Sequence, residues 1–174
     1  MRKVFLILLI LTSLLIGPSV YARTTPEDIQ NQTRFNFENN LSKIEDPKKK
    51  QLILSADQQL KNINQTVCNR LELDINKLSA IFEELKSREN VTNTIVAYGQ
   101  GSTPLDTAAY YLNYAAEALA YQRAQDYTPA IGGGNLKSAI NYSSNNLKSN
   151  LGTLQNKILR AKSEVKKAIN AYEK

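Results

Sequence analysis

NLKSAINYSSNNLKSNLGTLQNKILRAKSEVKKAINAYEK, residues 135–174, is the stretch that decides the fold. From Ile140 a small or apolar residue returns at Ser144, Leu147, Leu151, Leu154, Ile158, Ala161, Val165, Ala168 and Tyr172, in alternating steps of 4 and 3. That is the heptad spacing of a helix with one buried seam. No proline interrupts it. At about 1.5 Å per residue the rod spans roughly 60 Å. It cannot bury its seam alone, so the rest of the chain must supply its partners.

The segment from Pro47 to Arg88 supplies one of matching length. Ile53, Ala56, Leu60, Ile63, Val67, Leu71, Ile75, Leu78, Phe82 and Leu85 form its seam, with consecutive steps of 4 around Leu71 that read as a stutter. The equal lengths predict that the two rods lie side by side. Prolines mark the helix starts. Thr25-Pro26, Asp46-Pro47, Thr103-Pro104 and Thr128-Pro129 each place a capping oxygen before a residue whose fixed φ suits the first helical turn. Asp28 and Asp106 add negative charge to two of those first turns, where the helix dipole favours it.

A weaker helix is expected from about Pro26 to Ile44, with Ile29, Thr33, Phe37, Leu41 and Ile44 on one side; its Asn and Gln content gives it poor propensity. A third strong helix, from Pro104 to about Tyr127, is alanine-rich, with Leu105, Leu112 and Leu119 one heptad apart. Alanines let a neighbouring backbone approach closely. The expected fold is therefore all-α: an elongated antiparallel bundle of three long helices and a weaker amino-terminal one, over about 26–44, 47–88, 104–127 and 135–173, with coiled-coil-like packing.

Met1-Arg2-Lys3 is a basic head, residues 4–16 are apolar except Thr12 and Ser13, and Val20-Tyr21-Ala22 ends in small residues at the positions a signal peptidase reads. This layout predicts a secretory signal peptide over 1–22, cleaved after Ala22, and a mature single domain over 23–174 that is secreted or periplasmic. Loss of Arg2 and Lys3 lowers the net charge from +6 to +4. No second apolar run of spanning length follows, so no transmembrane span is expected after cleavage.

Cysteine and histidine usage narrow the chemistry. Cys68 is the single cysteine, so no intrachain disulfide forms; its expected place is the margin of the core, beside Val67, the alternative being an intermolecular bridge. The chain has no histidine, which excludes serine–histidine and cysteine–histidine catalysis and imidazole-containing zinc sites. Glu83-Glu84, and Glu72 with Asp74, are neighbours in sequence that diverge on a helix. No catalytic residue, cofactor site or metal site is expected.

Two features remain as candidate interaction surfaces. Tyr110, Tyr114 and Tyr121 share a stripe on the third helix, flanked by Tyr111 and Tyr127. Such a row binds sugars or a partner groove, or else closes the edge of a bundle, because each ring is apolar with one wet tip. The last helix carries eight basic residues against two acids, among them Lys157, Arg160 and Lys167. In the heptad register Lys157 flanks the seam while Arg160 and Lys167 point away from it, so the charge reads as a solvated face rather than a groove, and nucleic acid is not the expected partner. Glu89–Thr103 lacks a helical pattern; a connection of that length is often functional or mobile, but it reads first as a plain excursion that returns the chain to the start of the third helix. Gly132-Gly133-Gly134 does not fit a phosphate-binding loop and reads as a tight linker.

The signal-peptide-like start, Cys68-Asn69-Arg70-Leu71-Glu72 leading into Asp74-Ile75-Asn76-Lys77-Leu78, and Asp106-Thr107-Ala108 together resemble the short secreted all-helical proteins of unknown function of small bacterial genomes. That resemblance implies a helical secreted domain and transfers no functional residue. The expected function is a non-catalytic binding or structural protein of the cell envelope, with a protein or an envelope polymer as partner and a homodimer as a further option. The alternatives are a polyanion-binding accessory protein using the basic last helix and an enzyme working with carboxylates alone.

Overall fold

Each expected helix start has a visible cause where its cap is described. In the computed structural model, which describes residues 26–88, 103–131 and 135–172, Asp46 Oδ1 accepts the backbone N–H groups of Lys48 at 2.9 Å and Lys49 at 3.3 Å. Thr103 and Asp106 form a reciprocal capping box: Thr103 Oγ1 accepts from the Asp106 N–H at 3.1 Å, and Asp106 Oδ2 from the Thr103 N–H at 3.2 Å. Asn135 Oδ1 accepts the Lys137 N–H at 3.0 Å. The described residues form four helices: α1 Pro26–Ser42, α2 Pro47–Arg88, α3 Pro104–Ala124 and α4 Leu136–Tyr172. The described residues contain no strand, and the protein is the all-α bundle its periodicity predicts. Residues 1–22, the segment 89–102 and Gly132–Gly134, on which sequence expectations rest, lie outside the described residues.

The three long helices pack on one another in all pairings. Ile63 to Leu71 of α2 lie beside Ser144 to Gln155 of α4, and Ala80 to Arg88 beside Ile169 and Tyr172, so α2 and α4 are parallel, side by side as their lengths predict. Lys157 over Tyr114 and Arg160 over Tyr111 run α3 antiparallel to α4, and hence to α2. Their shared core takes Leu71, Ile75, Phe82 and Leu85 from α2, Leu105, Leu112 and Leu119 from α3, and Leu154, Ile158 and Val165 from α4. Ala108, Ala115, Ala161 and Ala168 are fully buried between them. A methyl group at these positions sets the close helix spacing.

At 21 residues, α3 stops halfway along α2. Beyond its end α1 takes over. The Gln30 side-chain amide donates to the Ala124 carbonyl at the end of α3, and α1 then runs on in the same direction along the first turns of α2. Phe37 and Leu41 pack there on Ile53, with Ile44, Ile131 and Leu136 around them. The bundle thus stays three helices thick over both halves.

Where α1 meets α3 the buried layer is polar, and here the seam departs from the hydrophobic pattern. Ile63, expected inside, is 48% exposed, while Asp57, Asn64 and Cys68 are buried. Cys68 is 0% exposed, in the core rather than at its margin, and its thiol is free. Burial pushes the thiol pKa up; Arg123 opposes this and Glu72 adds to it. On α4, Ser144 is exposed and its neighbour Ser143 is buried, its hydroxyl donating to the Thr128 carbonyl at 3.3 Å. Nor does Thr128-Pro129 start a helix. Both residues are buried in the stretch between α3 and α4, and the Thr128 hydroxyl turns inward to Asp57 Oδ1 at 3.1 Å and Asp126 Oδ1 at 2.7 Å. A threonine needed by the buried Asp57 and the partly buried Asp126 cannot also cap.

Candidate functional site

The rings of Tyr110 and Tyr114 lie parallel with centroids 6.2 Å apart, because residues four apart on α3 are neighbours on its surface. Tyr111 meets Tyr110 edge-on at 5.2 Å. From α4, Lys157 Nζ sits 4.4 Å from the Tyr114 ring centroid, and the Arg160 guanidinium 5.0 Å from that of Tyr111. These are cation–π distances. The tyrosine stripe and the basic helix, read as separate features of the sequence, therefore face one another across the α3–α4 seam.

Between them runs an open groove of about 570 Å³. Tyr114, Glu117 and Tyr121 line one wall, Asn150, Thr153 and Lys157 the other. Tyr121 is 59% exposed and Tyr114 41%. Three of the six residues singled out from the sequence, Tyr114, Tyr121 and Lys157, thus share one site, and Tyr110 backs it through its stack on Tyr114. Arg160 and Lys167 do not line it. They flank Glu164, which is buried at 4% exposure, with Arg160 Nε at 2.9 Å and Lys167 Nζ at 3.0 Å from Glu164 Oε1. Arg160 does not point away from the bundle as the register suggests, since Tyr111 and Glu164 hold it against the α3 side. An acid inside a basic helix carries no signal in the sequence that it will be the buried one.

The floor of the groove is built by side chains that hydrophobic periodicity passes over. Gln122 Nε2 donates to Asn64 Oδ1 at 2.9 Å and to the Tyr127 hydroxyl at 2.7 Å. Asn150 Nδ2 donates to that same hydroxyl at 2.9 Å, and Asn64 Nδ2 donates to the Gln122 carbonyl at 3.1 Å. Tyr127, expected to flank the stripe, is instead buried with Leu60 and Leu147. This chain of bonds fixes the α3 end against both long helices, so the groove walls are held by a connected polar network that is buried at Asn64, Gln122 and Tyr127.

Next to it lies a charged clamp. Arg34 from α1 donates to Asp126 through Nε at 3.1 Å and through Nη2 at 2.9 and 2.7 Å, and to Asp57 through Nη1 at 2.9 Å. Lys61 Nζ lies 3.4 Å from Asp57. Burial works against the Arg34 charge, but the bond to Asp57 and the charges of both carboxylates outweigh it and raise its pKa above the usual value. Two facing acids are what a carboxylate enzyme requires; here the arginine occupies the space between them. Three of the acids noted in the sequence are also engaged, Glu83 with Lys86, Glu84 with Arg88, and Glu72 with Arg123. Among the described residues no cluster of three metal-ligating side chains occurs, and no helix is long and apolar enough to cross a membrane.

No protein-family model, curated protein or solved structure matches the chain.

Proposed function

We propose that the protein is a non-catalytic binding protein of the cell envelope, secreted or periplasmic, that holds its partner on the α3–α4 face. One observation carries this reading: Tyr114, Tyr121 and Lys157 line a common groove backed by a hydrogen-bonded polar network. Exposed aromatic rings on a rigid wall lose little conformational freedom on binding, which favours recognition. The basic head, apolar run and small-residue end of residues 1–22 support export.

A polyanion-binding role draws on the charge of α4. It gains less support, because Arg160 and Lys167 share Glu164 and Lys157 lies over Tyr114. Co-sedimentation of residues 23–174 with cell-envelope fragments tests the binding face. Retention of the natural sequence, with release of a Tyr114→Ala/Tyr121→Ala variant of unchanged helical circular dichroism, is the expected result. Equal retention of both, or retention that collapses with modest salt, would overturn it.

A further inference from the structure

Grooves run along both sides of α4, and their linings differ. One on the α2 side sets Ile63, Val67, Leu147 and Leu151 beside Arg70 and Lys148, with no acid and no aromatic ring, and nothing on the molecule identifies what would cover it. The α3–α4 groove mixes rings with hydrogen-bonding groups, and its lining selects a chemistry.

Resting on the binding face proposed above, we infer that this groove takes a neutral polysaccharide strand, with Tyr121 as the platform for one sugar ring. Tyr121 has no aromatic or cationic partner among the described residues, so its ring face is open. Tyr114 differs: Tyr110 stacks on it and Lys157 lies over it, which pins the ammonium at the groove wall. Glu117 stands one helical turn from Tyr121 on the same wall, and neither Glu117 nor Lys157 has an ion-pair partner among the described residues. One positive and one negative group cancel. The groove therefore has no net attraction for a polyanion, yet it offers N–H donors and carboxylate acceptors to hydroxyl groups. The Asn150 and Gln125 amides add both kinds.

A pyranose suits this set, because its C–H face is apolar enough to lie on a tyrosine while its equatorial hydroxyls point outward to the rim. Tyr114 and Tyr121 are seven residues apart, about 10.5 Å along α3. That leaves room for the sugar on Tyr121 to have its chain neighbour beside Glu117 and Lys157. An amphipathic peptide helix fits less well, since Leu154 and Ala118 are the groove's only aliphatic lining and Leu154 is itself buried in the core.

The test is titration of residues 23–174 with cellotetraose and with chitotetraose, followed by NMR shifts of the tyrosine rings, and with heparin as the anionic comparison. The expected result is binding of one or both neutral sugars that is indifferent to salt between about 0.05 and 0.5 M. Tyr121→Ala should weaken it about tenfold, and Tyr142→Ala, on a ring 68% exposed outside the groove lining, should leave it unchanged. Binding of neither sugar at millimolar concentration, a preference for heparin with steep salt dependence, or a Tyr121→Ala variant that binds as well as the natural sequence would each overturn the inference. If neither sugar binds while envelope co-sedimentation still depends on the tyrosines, the ligand class is wrong and the binding face stands.

Discussion

Replacing Arg34 with Met removes a side chain that joins α1 both to Asp57 on α2 and to Asp126 just past the end of α3. The structure sets the size of the effect. Four donor contacts at 2.7 to 3.1 Å disappear, and Asp57 and Asp126, with side chains 9% and 16% exposed, are left facing each other. Removing one partner of a fully buried ion pair costs about 3–5 kcal/mol. Arg34 is 23% exposed and Lys61 still reaches Asp57, so solvent and the remaining cation reduce the loss to about 2–3 kcal/mol. Among the described side chains of α1, Phe37 and Leu41 are the ones in the buried apolar cluster. The loss should therefore show first as release of α1, with faster hydrogen exchange of its amides, and then as an earlier urea transition followed by circular dichroism. A cycle with Asp126→Asn should give a coupling of at least about 1 kcal/mol. Arg34→Lys should recover less than half of the loss, because an ammonium cannot reproduce the bidentate fork on Asp126. An Arg34→Met variant within about 0.5 kcal/mol of the natural sequence, or single effects that add without coupling, would refute the clamp.

The close helix spacing predicts that Ala161→Leu, at a position with no exposure, costs about 1–3 kcal/mol in urea unfolding through overpacking, whereas Ala120→Leu, exposed on α3, leaves stability unchanged. Cys68 should resist thiol reagents in the folded protein and react once denaturant unfolds it; because burial raises its pKa, its contribution to stability is complete below the ordinary cysteine range and declines as pH rises above it, and Cys68→Ala should remove that part of the alkaline decline. Rapid native-state labelling would contradict the burial.

Much of the fold was legible in the chain because heptad spacing and capping are local. Leu147, Leu154, Ile158, Ala161, Val165 and Ala168 are buried as their spacing requires, and the starts at Pro47 and Pro104 follow from Asp46 and Thr103. The departures cluster at the joint between α1 and α3. A count of apolar residues assigns Ile63 to the core and passes over Asp57, Asn64 and Cys68. The polar layer reverses that, since Gln122, Thr128 and Arg34 come from elsewhere in the chain to satisfy those groups. The site was half legible: the tyrosines and lysines could be named, but not that Tyr114 and Lys157 meet.

By itself the sequence determined the helices, their approximate extents and most of the stripe each buries, because these depend on residues three and four apart along one chain. Which polar residues go inside, which rings stay open and which charges are paired was decided only by tertiary structure. Each of those outcomes depends on partners dozens of residues away, and a buried polar group is stable only when such a partner arrives to bond it.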